Sequence, residues 1–486
     1  MPALEWAALL PLLYLAGCTI ALLLLISVKV RERILTPLVA LFFAGGFFTL
    51  RLVPTRALGP VTDLLVVDRY ALFYSGLFLA GALAVLGLSV KSFRDQKVRP
   101  SEFYLLLFLA VIGASVLSSS RHFVSFFLGL EILSVPLYVM IAYPRDQKKP
   151  LESGIKYLIL AGVASGFLFF GIALVYAARG TLGFAAEAGS APAGGSTPLF
   201  LAGLALLTVG FGFKLALVPF HLWAPDVYQG APAPVAGFLA TVSKAGVLAF
   251  LLRLSYGVRL VDYPALKLSF VAMAVASMFV GNWLALLQRN VKRILAYSSI
   301  SHFGYVLVAF LAAGEAGAEA ALFYITVYCI MTWGAFGVVT ALSGSGGEAE
   351  EIDDYRGLFW RAPWLGAVFS IMLLSLAGLP LTAGFFGKFY LAAAGVQAGL
   401  WLPVIALVTS SVIGLFYYLR VVVAMFSPAT AEDEEKATPP TGPRGLSTGI
   451  LALLLVLALL VLWLGLYPSS LSRLVEWAAH DLIVPG

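Results

Sequence analysis

The chain has 486 residues, of which 61% are hydrophobic and only 12% charged, and its mean hydropathy is +0.97. A soluble globular protein is about 45–50% apolar and about 25% charged, so this composition excludes a soluble enzyme and points to an all-α polytopic membrane protein. The net charge of +6 reads as membrane topology, with lipid and no nucleic acid as the expected surroundings.

Crossing the hydrocarbon core takes about 20 apolar residues, and fourteen segments qualify. They centre on residues 8–28, 34–51, 70–90, 102–118, 122–142, 154–177 and 199–220, then 235–254, 265–287, 292–312, 318–341, 364–396, 403–426 and 448–467. The first contains "LYLAGCTI", small residues followed by cysteine, as at a lipoprotein cleavage site. Its flank carries Glu5 and no Lys or Arg, unlike the basic start of a signal peptide, so it reads as a retained helix. The seventh segment runs into Pro219, and the over-long twelfth is interrupted by "AGLPLTAGFFGK". Proline removes a backbone donor and clashes with the preceding turn. Broken helices at membrane depth are tolerated where they are buried in protein or line a wet cavity. Two links, "AAEAGSAPAGGST" (185–197) and "SPATAEDEEKATPPTGPRG" (427–445), are too polar or too small-residue-rich to form a core and read as mobile.

Odd-numbered loops carry 18 Lys and Arg residues, against 9 in even-numbered loops and tails. The odd loops are therefore expected on the cytoplasmic side and both termini on the other. "TVGFGFK" (208–214) and "TAGFFGK" (382–388) share Thr, Gly, Phe and Lys at matching offsets, 174 residues apart. That distance holds about five spans at about 20 residues each plus loops, and an odd number inverts the second copy. Paired broken helices in inverted repeats mark transporters. The expected organisation is a three-helix segment over 1–100 and two inverted five-helix repeats, each a half-channel, over 101–256 and 257–426. A loop and one last transmembrane helix fill 427–486.

No phosphate loop, CxxC pair or nucleophile motif is present, and the four histidines show no metal spacing. Cys18 and Cys329 lie in apolar runs and read as core fillers. The residues that need explaining are charged ones inside apolar segments: Glu131, Lys214, Lys244 and Lys388, with His302. A charge at the centre of a membrane helix costs about 2.5–3.5 kcal/mol, so such groups pair or conduct. A carboxylate about 4 Å from an ammonium returns roughly 4 kcal/mol at an effective dielectric of about 20. Moving Glu131 towards or away from Lys214 would therefore switch that lysine between holding and releasing a proton. A charged lysine has no acceptor for Na⁺, which favours protons. The bland alternatives are a static ion pair that fixes helix register and a core histidine bonded to neighbouring serines. Against the second, Ser298, Ser301, His302 and Tyr305 share one helical face. Pro219 leaves it open whether His221 faces Lys214. Asp226, in the re-entrant "WAPDVYQG", is either a loop anchor or a relay. Lys156 reads as an interfacial snorkelling residue.

The runs "LGLEILSVPLYVMIA" (128–142), "ESGIKYLILAGVASGFLFFGIALVYAARGT" (152–181), "KLALVPFHLWAPDVYQGAPAPVAGFLATVSKAG" (214–246), "NVKRILAYSSISHFGY" (290–305) and "DDYRGL" (353–358) carry a family resemblance. From about residue 68 to 425 the chain resembles the antiporter-like subunits of respiratory complex I, the proton-pumping NADH:quinone oxidoreductase. It is most similar to the N type, the bacterial relative of mitochondrial ND-two, because M-type chains typically carry glutamate where Lys388 stands. "SRHFVSFF" (120–127) departs from the family's usual acidic or amide residue at Arg121 or His122.

The resemblance implies that Glu131 and Lys214 are the coupling pair of the first half-channel, modulated by Lys156. Lys244 would join the half-channels, His302 would follow, and Lys388 would end the exit path. His221 would sit at the break, with Asp226 beside it. It also implies translocation driven by redox chemistry elsewhere, with no cofactor on this chain. NADH, FMN, iron–sulfur clusters and quinone would belong to partner subunits. M-type and small K-type subunits would be its neighbours in a bacterial inner membrane, with periplasmic termini. The rivals are a cation/proton antiporter subunit, the membrane subunit of an energy-converting hydrogenase, and an inert membrane scaffold.

Overall fold

The computed structural model describes residues 6–96, 98–184, 197–344, 347–428 and 448–483. The links expected at 185–197 and 427–445 lie outside the described residues, apart from Thr197, Ser427 and Pro428, as does Glu5.

All fourteen apolar segments are helical over most of their length, the solution that satisfies backbone donors and acceptors within one segment in hydrocarbon. In order they begin with α1 (Leu10–Ser27), α2 (Glu32–Leu52), α3 (Arg69–Asp95), α4 (Ser101–Ser119), α5 (Phe123–Ile141) and α6 (Lys148–Arg179). A broken pair follows, α7 (Pro198–Lys214) and α8 (Trp223–Gly230). Then come α9 (Ala233–Val258), α10 (Pro264–Leu286), α11 (Val291–Ala312) and α12 (Gly314–Leu342). A second broken pair, α13 (Pro363–Ala377) and α14 (Ala383–Gln397), precedes α15 (Trp401–Phe426), α16 (Thr448–Leu466) and α17 (Ser469–Ile483). Among the described residues twelve of these helices are long and apolar enough to cross a membrane, and α7 and α13 are shorter apolar helices. This is a multi-pass membrane protein.

Three expectations need correction. The seventh segment does not run to Pro219; α7 stops at Lys214. Proline disfavours α geometry in the residue before it, and the chain has already left the helix at Ala216, whose φ is +58°. The "WAPDVYQG" stretch is the regular helix α8 rather than a loop. Beyond the last apolar helix lies α17, which buries Leu471, Val475, Ala478, Ala479 and Leu482 and exposes Leu474 and Trp477. That is an amphipathic face at helical spacing.

A short antiparallel ladder, with Gly59 opposite Val67 and Pro60 opposite Val66, closes the loop between α2 and α3. The helices form a layered bundle. Every residue in the most apolar stretch of α9 and of α11 is buried, against 22% for α1 and 33% for α6. The centre is thus α9, α11 and α12, and the first helices and α6 form the rim. Cys18 and Cys329 are buried free thiols, as core fillers should be. Close pairs rely on small residues. A Cβ on Gly113 of α4 would lie 2.3 Å from the Leu133 backbone nitrogen of α5, so only glycine fits there.

Candidate functional site

Lys214 is the last residue of α7 and only 4% exposed. Its Nζ donates to Ser134 Oγ of α5 at 3.0 Å. Glu131 lies one turn earlier on α5, where its Oε1 accepts from Ser165 Oγ of α6 at 3.0 Å. A serine thus stands on each side of the pair, and among the described residues no ion pair joins Glu131 to Lys214. The break beyond Lys214 satisfies its own backbone. Trp223 Nε1 donates to the Phe213 carbonyl at 2.9 Å, and the Leu217 amide to that of Gly212 at 2.7 Å.

Lys244 is fully buried in α9. Immediately before it, Leu239–Ser243 forms one π turn, a feature frequent at functional sites. Inside that turn Thr241 Oγ1 donates to the Gly237 carbonyl at 2.6 Å and accepts from Trp333 Nε1 at 2.8 Å. Lys244 Nζ donates to Ser299 Oγ of α11 at 2.8 Å. It also lies 4.8 Å from the ring centre of Phe303 and 5.7 Å from that of Tyr228, within cation–π range. Among the described residues no carboxylate pairs with it.

His302, one turn past Ser299, is bonded to tyrosines and not to serines. Tyr324 OH lies 2.8 Å from Nδ1 and Tyr418 OH 3.2 Å from Nε2. A neutral imidazole has one donor and one acceptor nitrogen, so one tyrosine donates to it and the other accepts from it. Tyr418 continues to Ser298. Nearby, Tyr417 OH donates to Asn282 Oδ1 at 2.9 Å, and Asn282 Nδ2 donates to Tyr305 OH at 3.0 Å. The face holding Ser298 and His302 is thus a hydroxyl-rich interior, whereas Ser301 turns back to its own helix at the Tyr297 carbonyl.

Lys388 lies in α14, after the second break. Its Nζ donates to the Ala377 carbonyl at 2.8 Å and to Ser411 Oγ at 2.7 Å, and stands 5.1 Å from the Tyr305 ring centre. Ala377 is the last residue of α13, so the ammonium caps a half-helix whose final carbonyls have no helical partner. Gly378, at φ +88°, makes this possible: a Cβ there would meet Lys388 Cδ at 2.8 Å. Lys388 and Ser411 line a cleft of about 320 Å3 whose other walls are mostly apolar, including Phe385, Phe389, Val408 and Val412.

The three remaining residues sit at the edge of this line. Asp226 accepts from Arg293 Nη1 of α11 at 2.7 Å and lies 3.9 Å from Lys156. Lys156 pairs with Glu152 at 2.6 Å on the exposed side of α6. Asp226 therefore anchors α8 to α11 and α6. His221, 7% exposed in the break, has no side-chain hydrogen-bond partner among the described residues on either ring nitrogen. Among the described residues no group of three or more His, Cys, Asp or Glu side chains is placed to hold a metal ion.

The family described as NADH:quinone oxidoreductase/Mrp antiporter, transmembrane, matches residues 120–414, the span that holds every site residue above except Tyr417 and Tyr418. NADH-quinone oxidoreductase subunit N of Ectopseudomonas mendocina is 46% identical over 481 residues, covering 97% of this chain and 96% of the relative. Subunit N of Methylococcus capsulatus is 45% identical over 468 residues, covering 96% and 93%. A chain of respiratory complex I from Thermus thermophilus, solved with bound aureothin, superposes with a TM-score of 0.81 at 34% identity, covering 95% of this chain and 98% of that one. The chain belongs to the subunit N family of NADH:quinone oxidoreductase.

Within this subunit N fold the seven-residue match between "TVGFGFK" and "TAGFFGK" does not mark equivalent positions. Lys214 ends the half-helix before its break, whereas Lys388 lies in the half-helix after its own. Prolines Pro219 and Pro380 occupy corresponding places between the half-helices instead. Sequence reasoning also missed the hydroxyl partners Ser134, Ser165, Ser299 and Ser411, and two buried cations counted as loop charges. Arg253 is held by Asp68 in a two-pronged pair at 2.7 and 2.9 Å, and by the Ser118 carbonyl at 3.0 Å. Lys292 is 1% exposed and pairs with Glu348. The available signal for Lys292 was its spacing, seven residues ahead of Ser299 on the same face of α11.

Proposed function

We propose that this subunit N family member carries protons along Glu131, Lys214, Lys244, His302 and Lys388. Lys156, His221 and Asp226 set the geometry of the entry side. One observation carries the reading. Each buried lysine of the line meets a neutral hydroxyl from another helix, and among the described residues none meets a fixed carboxylate. A hydroxyl accepts from an ammonium and donates to a neutral amine, so it serves both protonation states. A fixed counter-ion would favour the charged form alone. The Asp68–Arg253 pair in the same chain is what a static strut looks like: two-pronged and further bonded to backbone. The tyrosines around His302 extend the hydroxyl lining between Lys244 and Lys388.

In this reading the chain makes fourteen crossings in two inverted five-helix repeats, residues 101–256 and 257–426. Residues 1–100 and 427–486 flank them. The chain lies in a bacterial inner membrane with its termini on the periplasmic side, beside M-type and K-type subunits. The flavin, iron–sulfur and quinone chemistry that drives it resides in partner subunits, and this chain itself performs no redox step.

The test is Lys244→Ala in the assembled complex, with NADH-driven quinone reduction and proton uptake measured in membrane vesicles. Proton flux falls on the order of tenfold or more if Lys244 relays protons. Undiminished pumping by an assembled Lys244→Ala complex would sink the reading.

A further inference from the structure

At one end of the bundle, α8 hands over to α9 through the two residues Ala231 and Pro232. This junction joins the broken helix of Lys214 to the helix of Lys244. Two buried charges sit on it. Lys292 Nζ donates to the Ala231 carbonyl at 2.7 Å, at the C-terminal end of α8. Glu348 Oε1 accepts from the Ala233 amide at 2.8 Å, at the N-terminal end of α9. The other Glu348 oxygen pairs with Lys292. A helix carries partial negative charge at its C-terminus and partial positive charge at its N-terminus. The cation therefore faces the negative end of one helix and the anion the positive end of the next, while each neutralises the other. Pro234 has no amide to offer, so the Ala233 N–H is one of few free donors at the start of α9.

The pair is also tied to the rest of the line. Lys292 is the second residue of α11, two turns ahead of Ser299, the acceptor for Lys244. The segment carrying Glu348 is held to the same corner, by Asn290 Nδ2 on Glu350 Oε2 at 3.0 Å and by the Ile352 amide on the Arg289 carbonyl at 3.0 Å. Arg293 on Asp226 adds a second link between α11 and α8.

We propose that the Lys292–Glu348 pair is a positioning clamp of the proton path. It locks the α8–α9 junction against α11 and so holds Lys214 and Lys244 in register with Ser299 and His302. This rests on the proton-path reading above. Neither residue touches the line itself; both act through the helix ends they hold.

The experiment uses membrane vesicles carrying the whole complex. Proton uptake and quinone reduction driven by NADH are compared for Glu348→Ala, Glu348→Gln and the exchange Lys292→Glu/Glu348→Lys, with Lys244→Ala alongside. Assembly is checked by the yield of intact complex. The clamp predicts that Glu348→Ala lowers protons moved per electron by about threefold or more in assembled complex. Glu348→Gln falls less, because its amide oxygen still accepts from Ala233. The exchange does not restore the ratio, because it sets each charge against a helix end of like sign. An unchanged ratio in Glu348→Ala overturns the clamp, and so does full recovery in the exchange, which a simple ion-pair strut predicts. If Glu348→Ala fails to assemble, an unchanged ratio in Glu348→Gln overturns it instead. Normal pumping in Lys244→Ala would remove the proton path itself, so the two failures are read separately.

Discussion

The two broken helices solve one problem in opposite ways. Each leaves half-helix ends inside the bundle, where unpaired carbonyls are costly. At the first break the backbone and Trp223 close the end of α7, and Lys214 is left to reach sideways to Ser134 of α5. At the second, Lys388 reaches back across the break and bonds the last carbonyl of α13. The first lysine is free of structural duty; the second both caps a helix and borders a cleft. A lysine that caps a helix end ties its own position to the shape of that break.

The sharpest way to break this comparison is to remove each lysine. Lys388→Ala and Lys214→Ala should both lose proton flux, but their stabilities should diverge. Lys388→Ala gives up a charge-assisted hydrogen bond worth about 1.5–3 kcal/mol and leaves the Ala377 carbonyl with a long Ser411 contact at 3.4 Å. Lys214→Ala leaves the first break intact, so its thermal midpoint in purified complex should drop less. Equal drops would refute the division of roles.

The second contrast concerns left-handed residues. Gly378→Ala places a side chain at φ +88° and against Lys388, and should cost about 1–3 kcal/mol and much of the flux. Ala216→Gly, at φ +58° in the first break, should be neutral or stabilising by up to about 1 kcal/mol. Thermal inactivation of the two variants reads the opposite signs, and a destabilised Ala216→Gly would count against the strain argument.

The third contrast concerns the serines. Ser134→Ala removes the one hydrogen-bond acceptor that Lys214 has among the described residues and should cost about 1–3 kcal/mol. Ser411→Ala leaves Lys388 its carbonyl and should cost under about 1 kcal/mol. Pumping rates in the two variants should rank in the same order.

The helices and the charged line were legible because hydropathy and buried charge are loud signals: a lysine such as Lys244, amid "GFLATVSKAGVLAFLL", has no cheap explanation. The breaks were legible from Pro219 and from the glycines around Pro380, though not the residue at which each helix stops. That limit is set by backbone geometry at Ala216 and Gly378, which composition does not encode. The serines were illegible because serine is unremarkable in a membrane helix; Ser134 and Ser299 gain meaning only through what lies across from them. Arg253 and Lys292 were misread for a related reason. A basic residue near the end of an apolar run looks like a loop charge until its partner, Asp68 or Glu348, is brought in from far along the chain. The helix α17 escaped because its apolar stripe is short and its average polarity ordinary.

The π turn at Leu239–Ser243 amounts to one surplus residue wound into α9. Winding the same residues as ordinary α-helix would give the surplus residue a step of its own and turn everything after it by about 100° relative to everything before. The start of α9 is pinned at Ala233, so the rotation would fall on Lys244 and swing it off Ser299. The same sequence without that turn would keep its hydropathy and all of its lysines, and would still have lost the alignment between its two halves.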